Sequence, residues 1–152
     1  MNEKLTFNDI LEAEPQAEAL PISQTFDAKG KPFEVTIRTD CATDADAFYG
    51  ACEIVAKYSG DAVKDMKPLK VIYPGNRGKT FEVSNALYMG ELDLLSFLVV
   101  EPKMNIEQWA MAGNKFGPGF IKSIAQFAVT INSLVDPMKV DLDPKDATAN
   151  AS

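Results

Sequence analysis

Residues 33–38 have the sequence FEVTIR, in which apolar and polar side chains alternate strictly. The three apolar side chains fall on one face of an extended chain, because successive side chains of a β-strand point to opposite sides. The preceding segment, DAKGK at residues 27–31, has the composition of a turn, and Gly30 within it can adopt positive φ. We therefore predict an antiparallel β-hairpin over residues 22–39.

A second hairpin is predicted further along the chain, where residues 69–73 and 80–84 flank the turn sequence PGNRGK. The letters GKT at residues 78–80 also occur at the end of a phosphate-binding P-loop. That motif needs another glycine five residues before its second glycine, and Tyr73 occupies that position. Turn geometry explains the segment, so we assign no nucleotide or other cofactor to it.

The rest of the chain has the apolar periodicity of α-helices. Helices are predicted over residues 43–59, 85–100, 105–113 and 117–135. Thr43 is placed to cap the first helix, Gly113 to close the third, and Pro118 to occupy the first turn of the last. The sequence therefore predicts an α+β fold, in which N-terminal antiparallel β-hairpins pack with a mainly α-helical C-terminal half.

The predicted helix 85–100 is apolar around much of its circumference. Its apolar residues form two adjoining faces, one of Leu87, Leu94, Leu95 and Leu98 and one of Tyr88, Leu92 and Val99. An apolar surface of this width has to be buried on two sides, either inside the domain or in an oligomer. The sequence leaves both arrangements open.

The chain has a formal net charge of −7 and contains no histidine. An acidic balance argues against nucleic-acid backbones and anionic membrane surfaces as partners, because both are negatively charged. It fits a partner with a basic surface, and it equally fits a simple margin of solubility. Cys41 and Cys52 are predicted to be free, buried thiols in a reducing compartment.

We expect three parts, namely a flexible N-terminal arm at residues 1–21, a single α+β domain at residues 22–135 and a disordered acidic tail at residues 136–152. The arm contains one short apolar cluster, formed by Phe7, Ile10 and Leu11. Thr6 or Asn8 could cap a short helix there, and the arm is a candidate for docking on a partner or a neighbouring copy. No signal peptide is evident, so the cytoplasm is the expected compartment.

The residues do not suggest catalysis, and we predict a protein that is not an enzyme and holds no metal. The absence of histidine removes the commonest general base and the commonest metal ligand. Carboxylate chemistry remains the alternative, and it would require Glu53, Glu82 and Glu91 to converge in one pocket.

Aromatic side chains recur at helical spacing in the C-terminal half. They are Trp109, Phe116, Phe120 and Phe127. Aromatic stripes of this kind belong to a core more often than to a recognition surface, and both interpretations stay open at this point.

The segment 92–137 carries a resemblance to a known family. An apolar helix ends near Pro102, a short helix containing Trp109 follows, and the sequence GPG at residues 117–119 leads into an amphipathic helix. This arrangement, with the N-terminal hairpin, resembles the tail assembly chaperones of long-tailed bacteriophages and prophages. The resemblance covers residues 20–137 and rests on hydrophobic spacing and a few proline and glycine positions.

Such chaperones bind the long, helical tape measure protein, keep it soluble and recruit tail tube subunits, and they are absent from the finished virion. The resemblance implies the tape measure protein and the tail tube protein as partners, the host bacterial cytoplasm as the compartment, and the short form of the chaperone, made without a ribosomal frameshift. No binding motif transfers residue by residue from the family. From the apolar pattern, the candidates for partner contact are Tyr88, Leu92, Val99, Trp109, Phe116 and Phe120.

Other functions remain open beside this interpretation. They are a structural phage tail or head-completion protein and a generic soluble protein-binding domain. A homo-oligomer is compatible with each of them.

Overall fold

The computed structural model describes residues 4–75 and 78–134, in which five α-helices and five β-strands occur. In chain order these elements are α1 (Phe7–Glu12), β1 (Ile22–Ala28), β2 (Lys31–Ile37), α2 (Ala45–Lys57), β3 (Leu69–Ile72), β4 (Thr80–Val83), α3 (Ala86–Leu98), β5 (Val99–Glu101), α4 (Ile106–Phe116) and α5 (Pro118–Ile131). Antiparallel hairpins in the first half and helices in the second confirm the predicted α+β class. The predicted tail at residues 136–152 lies outside the described residues.

Both predicted hairpins are present. β1 and β2 are antiparallel and joined by a tight turn, in which Lys29 and Gly30 have φ angles of 50° and 86°. β3 and β4 form a separate two-stranded sheet. The third strand of the first sheet is β5, which pairs with β2, so the order is β1-β2-β5.

The predicted helix 85–100 is too long at its C-terminal end. The helix ends at Leu98, and Val99 lies opposite Ile37 in the first sheet. The Leu98 carbonyl oxygen accepts a hydrogen bond of 2.9 Å from the Arg38 N–H. Periodicity missed this change because Val99 and Val100 continue the apolar run, although β-branched residues favour strands.

Other predicted helix boundaries are also wrong. α2 begins at Ala45, and Asp44 is its N-cap, accepting a hydrogen bond of 2.9 Å from the Ala47 N–H. Thr43 does not cap this helix. It lies at the end of a preceding 3₁₀ turn, where its N–H donates to the Asp40 carbonyl oxygen at 3.0 Å. The third predicted helix is longer than expected, because α4 continues through Gly113 and ends at Phe116. The last predicted helix is shorter, because α5 ends at Ile131 and not at residue 135.

The core is centred on α3, which packs against α2, α4 and α5. Its fully buried leucines are Leu92, Leu94, Leu95 and Leu98. The wide apolar surface of this helix is therefore buried within the domain itself. Leu87 is the exception to the predicted inner face, because it lies in the first turn of α3 and is 48% exposed.

The N-terminal arm contains the short helix that the sequence predicts, capped by Thr6. The Thr6 Oγ1 accepts from the Asp9 N–H at 3.2 Å, and the Asp9 carboxylate accepts from the Thr6 N–H at 2.8 Å. No residue of α1 is buried. The arm meets the domain at Leu20, whose carbonyl oxygen accepts a hydrogen bond of 2.8 Å from the Thr39 hydroxyl.

Candidate functional site: a groove beside helix α3

Four of the six predicted partner-contact residues lie in the core. Leu92, Val99 and Trp109 are fully buried and Phe120 is 9% exposed, so they form no accessible surface in this structure. The rings of Trp109 and Phe120 pack against Phe33, with centroid distances of 6.3 Å and 5.7 Å. Helical spacing did not reveal that these residues are buried, because an apolar stripe in a core and an apolar stripe on a recognition surface have the same period.

The other predicted aromatic residues are half-buried. Phe116 packs against Phe120 in a tilted arrangement, with ring centroids 5.3 Å apart, and Phe127 meets Phe26 edge to face at 5.9 Å. Part of the surface of each ring is therefore buried against the core. Tyr88 is also half-buried, and it lines an open groove.

This groove, of about 700 Å³, lies between β4, the first half of α3 and the corner where α4 meets α5. The apolar part of its wall includes Phe81, Leu87, Tyr88, Ala110 and Pro118. We call it the α3 groove. Of the predicted candidates only Tyr88 belongs to it, and no sequence signal distinguished the exposed Leu87 from the buried leucines on the same helix.

A close approach of α3 and α4 forms the floor of the α3 groove. The Tyr88 hydroxyl lies directly against the position that a Cβ on Gly113 would occupy, and the Ile121 Cγ1 is 3.0 Å from the same point. Gly113 is therefore inside α4 because no side chain fits there. Burial raises the pKa of the Tyr88 phenol, and the neighbouring Glu91 raises it further, so this hydroxyl keeps its proton to a higher pH than a free tyrosine does.

One ion pair lies inside the groove wall. The Glu91 carboxylate, only 7% exposed, lies 3.4 Å from the Nζ of Lys122 on α5. Glu82 also lines the groove, whereas Glu53 is exposed on α2 and is not part of the lining. The three carboxylates considered for catalysis therefore do not meet in this site.

A basic edge adjoins the groove at the turn between β3 and β4. The Nζ atoms of Lys79 and Lys115 lie 5.2 Å and 5.8 Å from the centre of the Tyr73 ring, within the range of a cation–π contact. The Tyr73 hydroxyl accepts a hydrogen bond of 2.8 Å from Asn114, which lines the groove. The groove therefore combines an apolar wall with cationic side chains at its margin.

The two cysteines are free, as the sequence predicts. Cys41 is buried, and burial raises the pKa of its thiol, which keeps it in the less reactive neutral form. Cys52 is half-buried rather than buried. Across residues 4–75 and 78–134, no group of three or more cysteine, aspartate or glutamate side chains is placed to hold a metal ion.

None of the helices in the described part of the chain has the length and apolarity needed to cross a bilayer.

Comparison with known proteins gives no relative. No family model, no curated protein and no solved structure matches the chain. The fold and the groove define an α+β domain with an open, mainly apolar cleft and a partly basic margin.

Proposed function

We propose that this chain is a phage tail assembly chaperone, which holds an apolar helical segment of the tape measure protein in the α3 groove. In this role it keeps the tape measure protein soluble and helps to recruit tail tube subunits. The single observation that carries the proposal is the α3 groove itself, an open cleft of about 700 Å³ with apolar walls.

The shape of the site suits a helix better than a small molecule. Pockets for small ligands enclose most of the ligand surface, whereas amphipathic helices insert side chains at i, i+3 or i+4 and i+7 into an open groove. Leu87 is 48% exposed at the groove and offers an apolar contact that its own domain leaves uncovered. Lys79 and Lys115, at the margin of the groove, can pair with acidic residues flanking the apolar face of a bound helix.

The sequence resemblance supports the choice of partner. A tape measure protein is long and helical, and it exposes apolar helical surface before the tail tube covers it. A chaperone for such a protein needs a complementary apolar groove together with an acidic exterior that resists aggregation. The net charge of −7 and the α3 groove meet both needs.

The proposal requires a long helical protein to be encoded beside this chain, and the test is co-expression with that protein. The wild-type chain should raise the soluble yield of that protein and should co-purify with it. Leu87→Glu places a charge in the apolar wall and should lower the recovered complex by about tenfold or more, a loss typical of a central interface residue. Failure of the wild-type chain to solubilise the long protein would reject the proposal.

Tyr49→Glu is the matched control. Tyr49 is 64% exposed in the first half of α2 and lies away from the groove lining, so the same kind of change should leave the complex intact. A structural role in the tail or head is distinguished by mass spectrometry of purified virions. Stoichiometric amounts of the chain in mature particles would identify a structural component instead of an assembly chaperone.

A further inference from the structure

Strand β1 forms an open edge of the first sheet. In the described part of the chain it pairs with β2 alone, in unbroken register along all seven residues. Residues 22–25 and Asp27 are exposed, and α5 packs against the inner face of the sheet, where Phe127 meets Phe26. Sheets usually protect such an edge with proline, lysine or a bulge, and β1 has none of these. The edge is therefore suited to pairing with another strand.

The backbone groups available at this edge belong to Ser23, Thr25 and Asp27. In a hairpin with a two-residue turn, the pair that closes the turn is hydrogen-bonded, and bonded and non-bonded pairs alternate from there. Ala28 belongs to the closing pair, so the three residues point their backbone groups away from β2. Pro32, which has no N–H, lies opposite Asp27, in agreement with this assignment. Within residues 4–75 and 78–134, no backbone hydrogen bond joins these three residues to another element.

An acidic cleft lies at the end of the edge where β1 begins. Arm residues 16–19 pass residues 40–44 there, just before Ile22 begins the strand. The cleft is lined by three carboxylates, those of Glu18, Asp40 and Asp44. The Arg38 Nε lies 2.7 Å from one carboxylate oxygen of Asp40, so the cleft together with this arginine has a net charge of −2.

The other end of the edge is basic. Lys29 and Lys31 are exposed at the turn that follows β1, and together with Asp27 they give it a net charge of +1. An antiparallel second copy of β1 places the basic turn of each molecule beside the acidic cleft of the other, so the complementary contact is made twice. A parallel copy places turn beside turn and cleft beside cleft. The charges therefore favour an antiparallel second copy as the occupant of the edge.

We propose that two copies of the chain associate by antiparallel pairing of their β1 strands, which joins two three-stranded sheets into one sheet of six strands. The twofold axis passes beside Thr25, which faces the partner's Thr25, while Ser23 faces the partner's Asp27. Threonine pairs across strands are favourable, and no like charges lie directly opposite each other. The association stops at two copies, because both use the same surface.

This surface is separate from the α3 groove, because no residue of β1 lines the groove. The proposal therefore goes beyond the proposed function and needs no other protein. Its tests use the full-length chain alone, so their failure leaves the co-purification test of the proposed function unaffected.

The first test is the mass of the full-length chain, measured by analytical ultracentrifugation over a range of concentrations. Wild type should show monomers and dimers only. Thr25→Lys places two like charges beside the twofold axis and should raise the dissociation constant by about tenfold or more. Thr25 is exposed, so this variant should keep the wild-type circular dichroism. Tyr49→Lys adds the same charge at a position of α2 that is 64% exposed, and it should dimerise as the wild type does.

Either of two results in this experiment overturns the proposal. One is a wild-type chain that is monomeric at every concentration. The other is a Thr25→Lys chain that dimerises as strongly as the wild type.

A pair of charge reversals tests the orientation of the two strands. Lys31→Glu and Glu18→Lys should each raise the dissociation constant by about fivefold, because each changes two symmetric, exposed contacts. The double variant restores opposite charges between the molecules, so its dissociation constant should return towards that of the wild type. Within one molecule the two positions lie at opposite ends of β1, about 20 Å apart, and do not compensate each other. A double variant that dimerises more weakly than either single variant rejects the antiparallel arrangement.

Amide hydrogen exchange, followed by NMR, locates the contact. The Thr25 N–H should be protected only at concentrations that populate the dimer, whereas the Phe26 N–H bonds to β2 and should be protected in the monomer as well. A dimer in which the Thr25 N–H exchanges as fast as in the monomer overturns the proposal. A monomer in which this N–H is already protected shows that another part of the same chain covers the edge, and it overturns the proposal too.

Discussion

Asn132 and Arg38 are joined by a hydrogen bond across the domain, in which the Asn132 Nδ2 donates to the Arg38 carbonyl oxygen at 2.8 Å. The same amide group donates to the Ala128 carbonyl oxygen at 2.8 Å, and its Oδ1 accepts from the Cys41 N–H at 3.3 Å. Asn132 is fully buried. One side chain thus satisfies three backbone groups and ties the end of α5 to the turn that follows β2.

Replacement of this side chain should be costly. Asn132→Ala leaves the Arg38 carbonyl oxygen and the Cys41 N–H without this partner, and we expect the free energy of unfolding to fall by about 2–4 kcal/mol. Urea unfolding followed by circular dichroism measures the loss. Thr130→Ala, at an exposed position of α5, should change stability by less than about 0.5 kcal/mol. Equal effects of the two substitutions would contradict the role assigned to Asn132.

Because Gly113 and Tyr88 are in contact, we expect the stability effects of substitutions at these two positions to be coupled. Gly113→Ala places a Cβ against the Tyr88 hydroxyl and 3.0 Å from Ile121, so it should destabilise the domain by about 1–3 kcal/mol. In a Tyr88→Phe background the hydroxyl is gone, and the penalty of Gly113→Ala should be smaller. Chemical denaturation of the four proteins in this double-mutant cycle measures the coupling, and strict additivity would show that the two residues do not clash.

Because Glu91 and Lys122 form an ion pair, we expect the single variant Lys122→Met to be less stable than the double variant that also carries Glu91→Gln. Lys122→Met leaves a nearly buried carboxylate without this cation, and we expect a loss of about 1–3 kcal/mol, lower than for a fully buried pair because Lys122 is 38% exposed. Adding Glu91→Gln removes the buried charge and should recover part of that loss. Thermal and urea unfolding compare the variants. If the double variant is less stable than Lys122→Met alone, Lys122 is not the main partner of Glu91.

We expect the domain to lose stability at alkaline pH because of Tyr58. Burial raises the pKa of its phenol, and the hydrogen bond of 2.7 Å that it donates to the Asp93 carboxylate raises it further. The folded state therefore keeps a proton that the unfolded chain releases near about pH 10. Stability should be fully present below that pH and should fall above it, by up to about 1.4 kcal/mol per pH unit for one tyrosine.

The variant Tyr58→Phe checks this assignment. It cannot release a phenolic proton, so its stability should fall less steeply than that of the wild type above about pH 10. The pKa of Tyr88 is raised in the same direction, so some alkaline loss should persist in the single variant. Urea unfolding at neutral and alkaline pH measures both slopes. Parallel slopes for wild type and Tyr58→Phe would exclude Tyr58 as a source of the alkaline loss.

The sequence predicted local structure well where a local cause fixes it. The alternation in residues 33–38 and the turn at Gly30 gave the first hairpin, and Pro118 after Gly117 gave the start of α5. The capping box of α4 is equally local, because its two partners, Asn105 and Gln108, are three residues apart. These features depend on neighbouring residues only.

Prediction failed where a distant contact decides the outcome. Val99 leaves the helix because β2 offers it an unpaired strand edge, and Gly113 stays within α4 because Tyr88 from another helix occupies the space beside it. Neither partner is near in sequence. Spacing alone could not reveal either contact.

In the candidate site too, the sequence identified local features but not those that depend on distant contacts. The sequence singled out Tyr88, but it grouped Leu87 with the buried leucines and offered Trp109 as a surface residue, whereas Leu87 is 48% exposed and Trp109 fully buried. Helical periodicity states which residues share a face and does not state what covers that face. The lysines at the groove edge had no pattern in the sequence, because they come from a turn and from two separate helices.

The sequence by itself determined the α+β class, the two hairpins, a short capped helix in the arm and the acidic character of the chain. These features follow from side-chain alternation, local hydrogen bonding and composition. Only the tertiary structure decided which apolar residues form the core, where β5 pairs, and that an open groove lies beside α3 while the apolar face of α1 stays exposed. The physical reason is that burial depends on the packing of elements distant in sequence.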